Sequence, residues 1–256
     1  MIHMAQTSGI EWTETTWNPV TGCDRISPGC DNCYALTMAR RLKAAGNARY
    51  QEDGDPRTSG EGFAVNVHND LLDLPRRWRK PRLVFVNSMS DLFHGKVPAA
   101  FISRVFATMA ETPHHTYQVL TKRPLRAARL AARLPWPPNV WLGVSVESPE
   151  QARRIDQLRR VPAAVRFISA EPLLAELPKL DLAGIHWLIV GGESGPGHRP
   201  VEADWVRDLR DQALEARVAF FFKQWGGSRP KTGGRELDGA TWSQLPPRTA
   251  TVRPAR

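Results

Sequence analysis

The sequence predicts an α/β fold, a full or partial (β/α) TIM-like barrel with an N-terminal cysteine loop. Three observations carry this expectation. From residue 60 onward, short runs bearing Val, Ile, Phe and Trp alternate with longer amphipathic stretches, the pattern of βαβ units and a parallel sheet. The runs approach eight in number, the count of a closed barrel. Nearly every run ends in polar residues, and in a parallel barrel those C-terminal ends converge on the face where active sites sit.

In chain order, a short first strand is expected near Glu11 to Thr16, followed by a loop, 17–34, holding Cys23, Cys30 and Cys33. Further strands are expected at Phe63 to Val67, Leu83 to Asn87, Tyr117 to Leu120, Val140 to Val144, Arg166 to Ser169, Trp187 to Val190 and Ala219 to Phe222. Amphipathic stretches at 98–111, 124–133, 149–160 and 202–216 read as the intervening helices. Residues 1–226 are expected to form one barrel domain. Residues 227–256, poor in apolar side chains and interrupted by Gly233-Gly234 and Pro246-Pro247, read as an irregular, partly disordered tail.

At 256 residues and 41% hydrophobic content, the chain suits a single barrel with an adequate core. No apolar run approaches 18 residues, so a membrane-spanning helix and a membrane partner are not expected. The segment Met1 to Ser8 lacks the basic and apolar regions of a signal peptide, which predicts a cytoplasmic, reducing location. The 35 Lys and Arg against 26 Asp and Glu give a net charge of +9, which favours a polyanion partner such as DNA or RNA. The densest basic stretches, Arg76 to Arg82 and Lys122 to Arg129, also fit solvated helix faces.

The chain has three cysteines, all in the one loop. An odd count in a single cluster argues against a disulfide framework and for metal ligation. A structural zinc site would need a fourth ligand from elsewhere. A [4Fe-4S] cluster held by three Cys leaves one iron open to bind something else. Gly22, Pro28 and Gly29 let the backbone wrap a compact anion.

The strand exits supply further candidates: Asn87, Ser90 and Asp91; Lys122; Glu147; Glu171; Gly191, Gly192 and Glu193; and Lys223. Taken singly, Ser and Asp after a strand also serve as helix caps and Gly191-Gly192 as a turn. The glycine-rich loop from Val190 to Gly197 matches neither the dinucleotide pattern nor a Walker motif, yet glycines there allow close backbone approach to a cofactor. No His pair has metal-binding helical spacing, so His94, His114, His115 and His198 read as surface or capping residues. Trp12, Trp17 and Trp225 flank the site and read as indoles able to stack on a base, whereas Trp141, Trp187 and Trp205 read as core.

Taken together, the segments Trp12 to Cys23, Ser27 to Tyr34, Val86 to Phe93, Leu120 to Pro124, Ser169 to Leu174, Gly191 to Gly195 and Phe222 to Gly226 resemble the phage and bacterial three-cysteine-motif family of largely uncharacterised proteins. That family is similar to radical S-adenosylmethionine enzymes. Their usual spacing is Cys-x3-Cys-x2-Cys, whereas six residues separate Cys23 from Cys30 here.

The resemblance implies a [4Fe-4S] cluster on Cys23, Cys30 and Cys33, its open iron available to S-adenosylmethionine. In this reading Asn87, Ser90, Asp91, Gly191, Gly192 and Glu193 bind cofactor, and Lys122, Glu147, Glu171 and Lys223 work on the substrate, a nucleic acid or nucleotide. An electron donor is then a partner. Two alternatives stay open. One is a non-catalytic nucleic-acid-binding or phage accessory protein whose iron-sulfur or zinc centre is structural. The other is a hydrolase working through Glu147 and Glu171.

Overall fold

A computed structural model of the chain describes residues 8–247, and among these it contains eleven strands and five α-helices. In order they are β1 (Thr15–Thr16), β2 (Val20–Thr21), α1 (Tyr34–Ala44), β3 (Asn66–Val67), β4 (Leu83–Val86), α2 (Ala99–Glu111), β5 (Thr116–Thr121), α3 (Pro124–Leu130), β6 (Val140–Ser145), α4 (Arg154–Arg159), β7 (Val165–Ala170), β8 (Trp187–Gly191), α5 (Ala203–Glu215), β9 (Ala219–Gln224), β10 (Glu236–Leu237) and β11 (Ala240–Thr241).

Seven strands form one parallel sheet in the order β1-β4-β5-β6-β7-β8-β9. β1 and β9 are its two edges, so the fold is a partial TIM-like (β/α) barrel. Its curl shows in the side chains. Trp12, just before β1, touches Phe85 on β4 with ring centroids 4.8 Å apart and Trp187 on β8 at 6.0 Å. Three strands lie between β4 and β8, and one indole reaches both only if the sheet closes around it.

Period-two alternation divides the core in two. Phe85, Trp141, Phe167, Trp187, Ile189 and Phe221 point inward with Trp12 and form an aromatic floor. Their neighbours Val84, Val86, Leu142, Ile168, Leu188 and Phe220 point outward into the larger core beneath the helices. On α2, Phe101, Ile102, Val105, Phe106 and Met109 recur at helical spacing and are buried there.

Several expectations are corrected. The run from Phe63 to Val67 is not a barrel strand, because only Asn66 and Val67 pair, antiparallel to Val20 and Thr21 on β2. The parallel sheet therefore has seven strands. Helix α1, which buries only Ala35 and Ala39, was not anticipated. Trp12 and Trp17 are core residues, Trp17 donating from its indole to the Leu71 carbonyl. Trp225 packs partly buried against Phe222. His115 is fully buried against the Pro75 carbonyl, and His94 is buried against Asp24.

Beyond residue 227, β10 and β11 form a hairpin whose Leu237 is buried in the larger core. Residues 248–256 of the expected tail, and residues 1–7, lie outside the described residues. Among the described residues, no helix is long and apolar enough to cross a membrane.

Candidate functional site

The cysteine loop is laid across the C-terminal ends of the barrel strands by local backbone requirements. Gly22 has φ +84°, and a Cβ there would stand 1.9 Å from the Ala64 carbonyl oxygen, so this close crossing needs glycine. Its amide donates to the Met89 carbonyl beyond β4 at 2.9 Å, fixing the chain just before Cys23. Pro28–Cys30 forms a 3₁₀ turn, and Cys33 occupies the N-cap position of α1.

All three cysteines are free thiols, and all three line one cavity of about 1010 Å³. Arg123 donates to Cys23 Sγ at 3.3 Å, and Ser27 Oγ stands 3.8 Å from Cys30 Sγ. Burial pushes the Cys23 thiol up to about 12, with the Asp91 carboxylate adding to the shift and Arg123 opposing it. Burial also raises Cys33. Left alone, these two thiols hold their protons, and a positively charged metal centre is the partner that would stabilise their thiolates.

Alternation along the strands builds the cavity wall. On β6 the inward series runs Trp141, Gly143, Ser145; on β7 it runs Phe167, Ser169, then Glu171; on β9 it runs Phe221, then Lys223. The aromatic floor is thus roofed by polar groups at the strand exits. Lys223 Nζ lies 2.7 Å from Glu171 Oε2, and both line the cavity. Asn87, Ser90, Asp91, Lys122, Gly192 and Glu193 line it too. Asn87 is buried and donates weakly to the Val20 carbonyl at 3.4 Å, while its Oδ1 has no partner among the described residues. Glu147 and Gly191 are not on the cavity surface.

Glu147 is fully buried instead. Its Oε2 accepts from Arg154 at 2.6 Å and its Oε1 accepts from Ser27 Oγ at 2.5 Å, with Lys122 Nζ 3.7 Å away. Glu193 accepts two bonds from the Arg199 guanidinium, at 2.6 and 3.0 Å, and one from Asn32 at 2.9 Å. Burial would raise the Glu193 pKa, but the bonds from Arg199 and Asn32 outweigh it and hold the carboxyl below its usual range. Asp91 accepts from Thr121 Oγ1 at 2.7 Å and from Arg123 at 3.1 Å, and Arg123 also donates to the Asp24 carbonyl at 2.9 Å.

Sequence reasoning named these carboxylates and missed Ser27, Asn32, Arg154 and Arg199. A signal did exist: Arg154 follows Glu147 by seven residues and Arg199 follows Glu193 by six, so two strand-exit acids are each trailed by a cation within reach.

Among the described residues, no three Cys, His, Asp or Glu side chains gather around one point as a single metal ion requires. The thiols stand around the cavity, with Cys30 within electrostatic reach of both Cys23 and Cys33. Each thiolate of a polynuclear cluster bonds a different iron, whereas a structural zinc draws four ligands onto one centre.

Fold and site define a partial (β/α) barrel protein with a three-cysteine loop across its mouth. Residues 7–246 match the family described as "Protein of unknown function (DUF5131)", and the chain belongs to that family. No curated protein matches it significantly. Among solved structures, a cysteine-to-serine variant of spore photoproduct lyase superimposes with a TM-score of 0.50 at 14% identity, covering 84% of this chain and 65% of the lyase chain. A doubly substituted variant of that lyase, with bound AdoMet and dinucleoside spore photoproduct, gives 0.49 at 13% identity over the same shares. The chain therefore spans about 65% of the lyase's length, and the likeness is one of fold.

Proposed function

We propose that this chain is an iron-sulfur enzyme of the radical S-adenosylmethionine kind, with Cys23, Cys30 and Cys33 as the ligands of a [4Fe-4S] cluster. One observation carries the reading: three free thiols, two of them raised by burial, are brought onto a single cavity at the mouth of a partial (β/α) barrel. The donor set fits the group, since three soft sulfur ligands leave one iron for a second molecule. When bound, a reduced cluster with S-adenosylmethionine supplies one-electron chemistry for hydrogen abstraction from a substrate.

The chain's own residues bind, orient and shield. The floor around Trp187 closes the lower end of the barrel to water. The unpartnered Asn87 Oδ1 offers an acceptor to a cofactor donor group. Glu171 and Lys223 present opposite charges to the cavity, one for an ammonium and one for a carboxylate or developing anion. Lys122, above Glu147, adds a second cation.

The substrate class is a nucleic acid or nucleotide. The net charge of +9 favours a polyanion, while each cation lining the cavity already has a carboxylate beside it, Arg49 with Asp70, Lys122 with Glu147, Arg123 with Asp91, Lys223 with Glu171 and Lys231 with Glu11. The cavity thus carries enough positive charge to orient one small anionic group but too little unpaired charge to hold a polyanion. A phosphate backbone therefore stays on the outer surface, and a base or nucleoside is the part that enters. The setting is cytoplasmic and reducing, and an electron donor protein is the partner the chemistry requires.

The test is anaerobic purification with iron and sulfide analysis, then dithionite reduction with S-adenosylmethionine and assay for 5′-deoxyadenosine. About four irons and deoxyadenosine release are expected. Zinc in place of iron, or a cluster that leaves S-adenosylmethionine intact, overturns the reading in favour of a structural metal in a binding protein.

A further inference from the structure

Each part of the cysteine loop is tied to a different strand exit by a buried carboxylate that also pairs with an arginine. Asp91, after β4, holds Arg123, which reaches Cys23 Sγ and the Asp24 carbonyl. Glu147, after β6, holds Arg154 and the hydroxyl of Ser27, three residues before Cys30. Glu193, after β8, holds Arg199 and the side chain of Asn32, between Cys30 and Cys33, while Arg199 itself donates to the Pro28 carbonyl at 2.9 Å. The three carboxylates are 5%, 0% and 5% exposed.

We infer that Glu193 and Arg199 are positioning residues for Cys30 and Cys33, forming a clamp that sets where these two thiols face the cavity. Three details favour this over a role in binding a ligand. The Oε2 of Glu193 accepts from Asn32, from the Arg199 side chain and from the Arg199 amide at 2.9 Å, and Oε1 takes the remaining guanidinium bond. The carboxylate thus already accepts four bonds, three of them at Oε2, before any ligand arrives. Arg199 spans two elements, bonding Glu193 and the Pro28 carbonyl, with Asp31 3.6 Å away. The contacts also join segments 161 and 171 residues apart, so they hold the loop against the barrel and not against itself. Charge-assisted bonds of this kind are the strong ones, and a loop fixed by several of them opens rarely.

The inference rests on reading Cys30 and Cys33 as cluster ligands, but the clamp is tested without iron. Metal-free full-length protein and its Glu193→Gln, Arg199→Gln and Arg199→Lys variants are treated with a thiol-alkylating reagent at one fixed pH. The modification rate of each cysteine is followed separately by peptide mass mapping. The two glutamine variants change the local charge in opposite directions, so a purely electrostatic influence on the thiols would speed one and slow the other. A clamp predicts that both speed Cys30 and Cys33, by about tenfold if one strong anchoring contact is lost. Cys23, held by Arg123, stays within about twofold.

Arg199→Lys, which keeps the charge but loses the fork, falls between wild type and Arg199→Gln. It also serves as the readable variant if either glutamine substitution prevents folding. Opposite responses of the two glutamine variants, equal acceleration of all three thiols, or no acceleration overturns the inference. Iron analysis of the wild type reports separately on the cluster, so a working clamp in a protein that takes up no iron would sink the functional reading alone.

Discussion

Lys223 Nζ and Glu171 Oε2 form a 2.7 Å ion pair that stands free of the cysteine loop while facing the same cavity. The other strand-exit carboxylates are occupied in holding backbone and loop. Under the proposed function this pair, together with Lys122, supplies the charge that meets a substrate or cofactor. Substituting Lys223→Met or Glu171→Gln should lower turnover by about 100-fold, the range for loss of a positioned charged or proton-transferring group. Because both side chains are largely buried, 22% and 13% exposed, removing either partner leaves the other charge unpaired and should cost about 1–3 kcal/mol. Iron content should stay at the wild-type value. Parallel loss of iron and activity would move the pair into the structural machinery.

The turn before Cys30 makes a second prediction. A Cβ on Gly29 would stand 2.3 Å from Glu147 Cγ and 2.6 Å from its Oε1. Glu147 cannot give way, since it is fully buried and bonded to Arg154 and Ser27. Gly29→Ala should therefore push the loop outward, cost about 1–3 kcal/mol and reduce iron retention on reconstitution. Thermal unfolding and metal analysis of the same preparation check both halves. Unchanged iron binding would show that Cys30 tolerates displacement.

Much of the barrel was legible because its strands obey a simple rule. β4 to β9 are short runs of Val, Ile, Phe and Trp, and the residues at their C-terminal ends fall on one face whichever way the helices pack. Phe63 to Val67 has the same local composition and misleads, because only long-range pairing decides whether an apolar run joins the sheet, and there the chain finds β2 instead. Helix α1 escaped notice because its buried positions are the small residues Ala35 and Ala39, among Arg40, Arg41 and Lys43.

Within the site, residue type placed Glu147, Glu193 and Asp91 at the mouth but could not show which way each would turn. Partners such as Ser27 and Asn32 lie 120 and 161 residues away in sequence. Trp12 and Trp17 were misjudged for a related reason. Indoles next to a functional loop suggest stacking surfaces, yet a partial barrel needs large side chains to fill its floor and seal its wall.

The floor itself is tightly set at Gly143. A Cβ there would meet three ring atoms of Phe167 at 2.2–2.4 Å, and Phe167 is fully buried with its ring 5.6 Å from that of Trp187. Gly143→Ala should cost about 1–3 kcal/mol through overpacking, lowering the melting temperature by several degrees. Trp187→Ala leaves a cavity at the hub instead and should cost about 3–5 kcal/mol. Calorimetry of the two variants checks the order. A stability cost for Gly143→Ala near zero would mean that the inner layer is looser than its contacts indicate.

His115 gives the fold a pH dependence whose sign is fixed by its surroundings. Burial, with His114 beside it, lowers its pKa from 6.5 to about 4. Above pH 6.5 the ring is neutral in both folded and unfolded chains, and it makes no difference between them. As the pH falls from 6.5 towards 4, the unfolded chain takes up a proton that the folded protein refuses, so stability is lost across that window and levels off below it. With the ring fully buried, the full loss amounts to about 3 kcal/mol. His115→Gln removes the titration while keeping a side-chain donor for the Pro75 carbonyl, now met by Nε2 at 3.1 Å. Denaturant unfolding at pH 7 and pH 4.5 should therefore show a smaller acid-induced loss for the variant than for wild type. Equal losses in the two proteins would place the acid sensitivity elsewhere, with His68 and His94, whose pKa values burial also lowers, as the next groups to substitute.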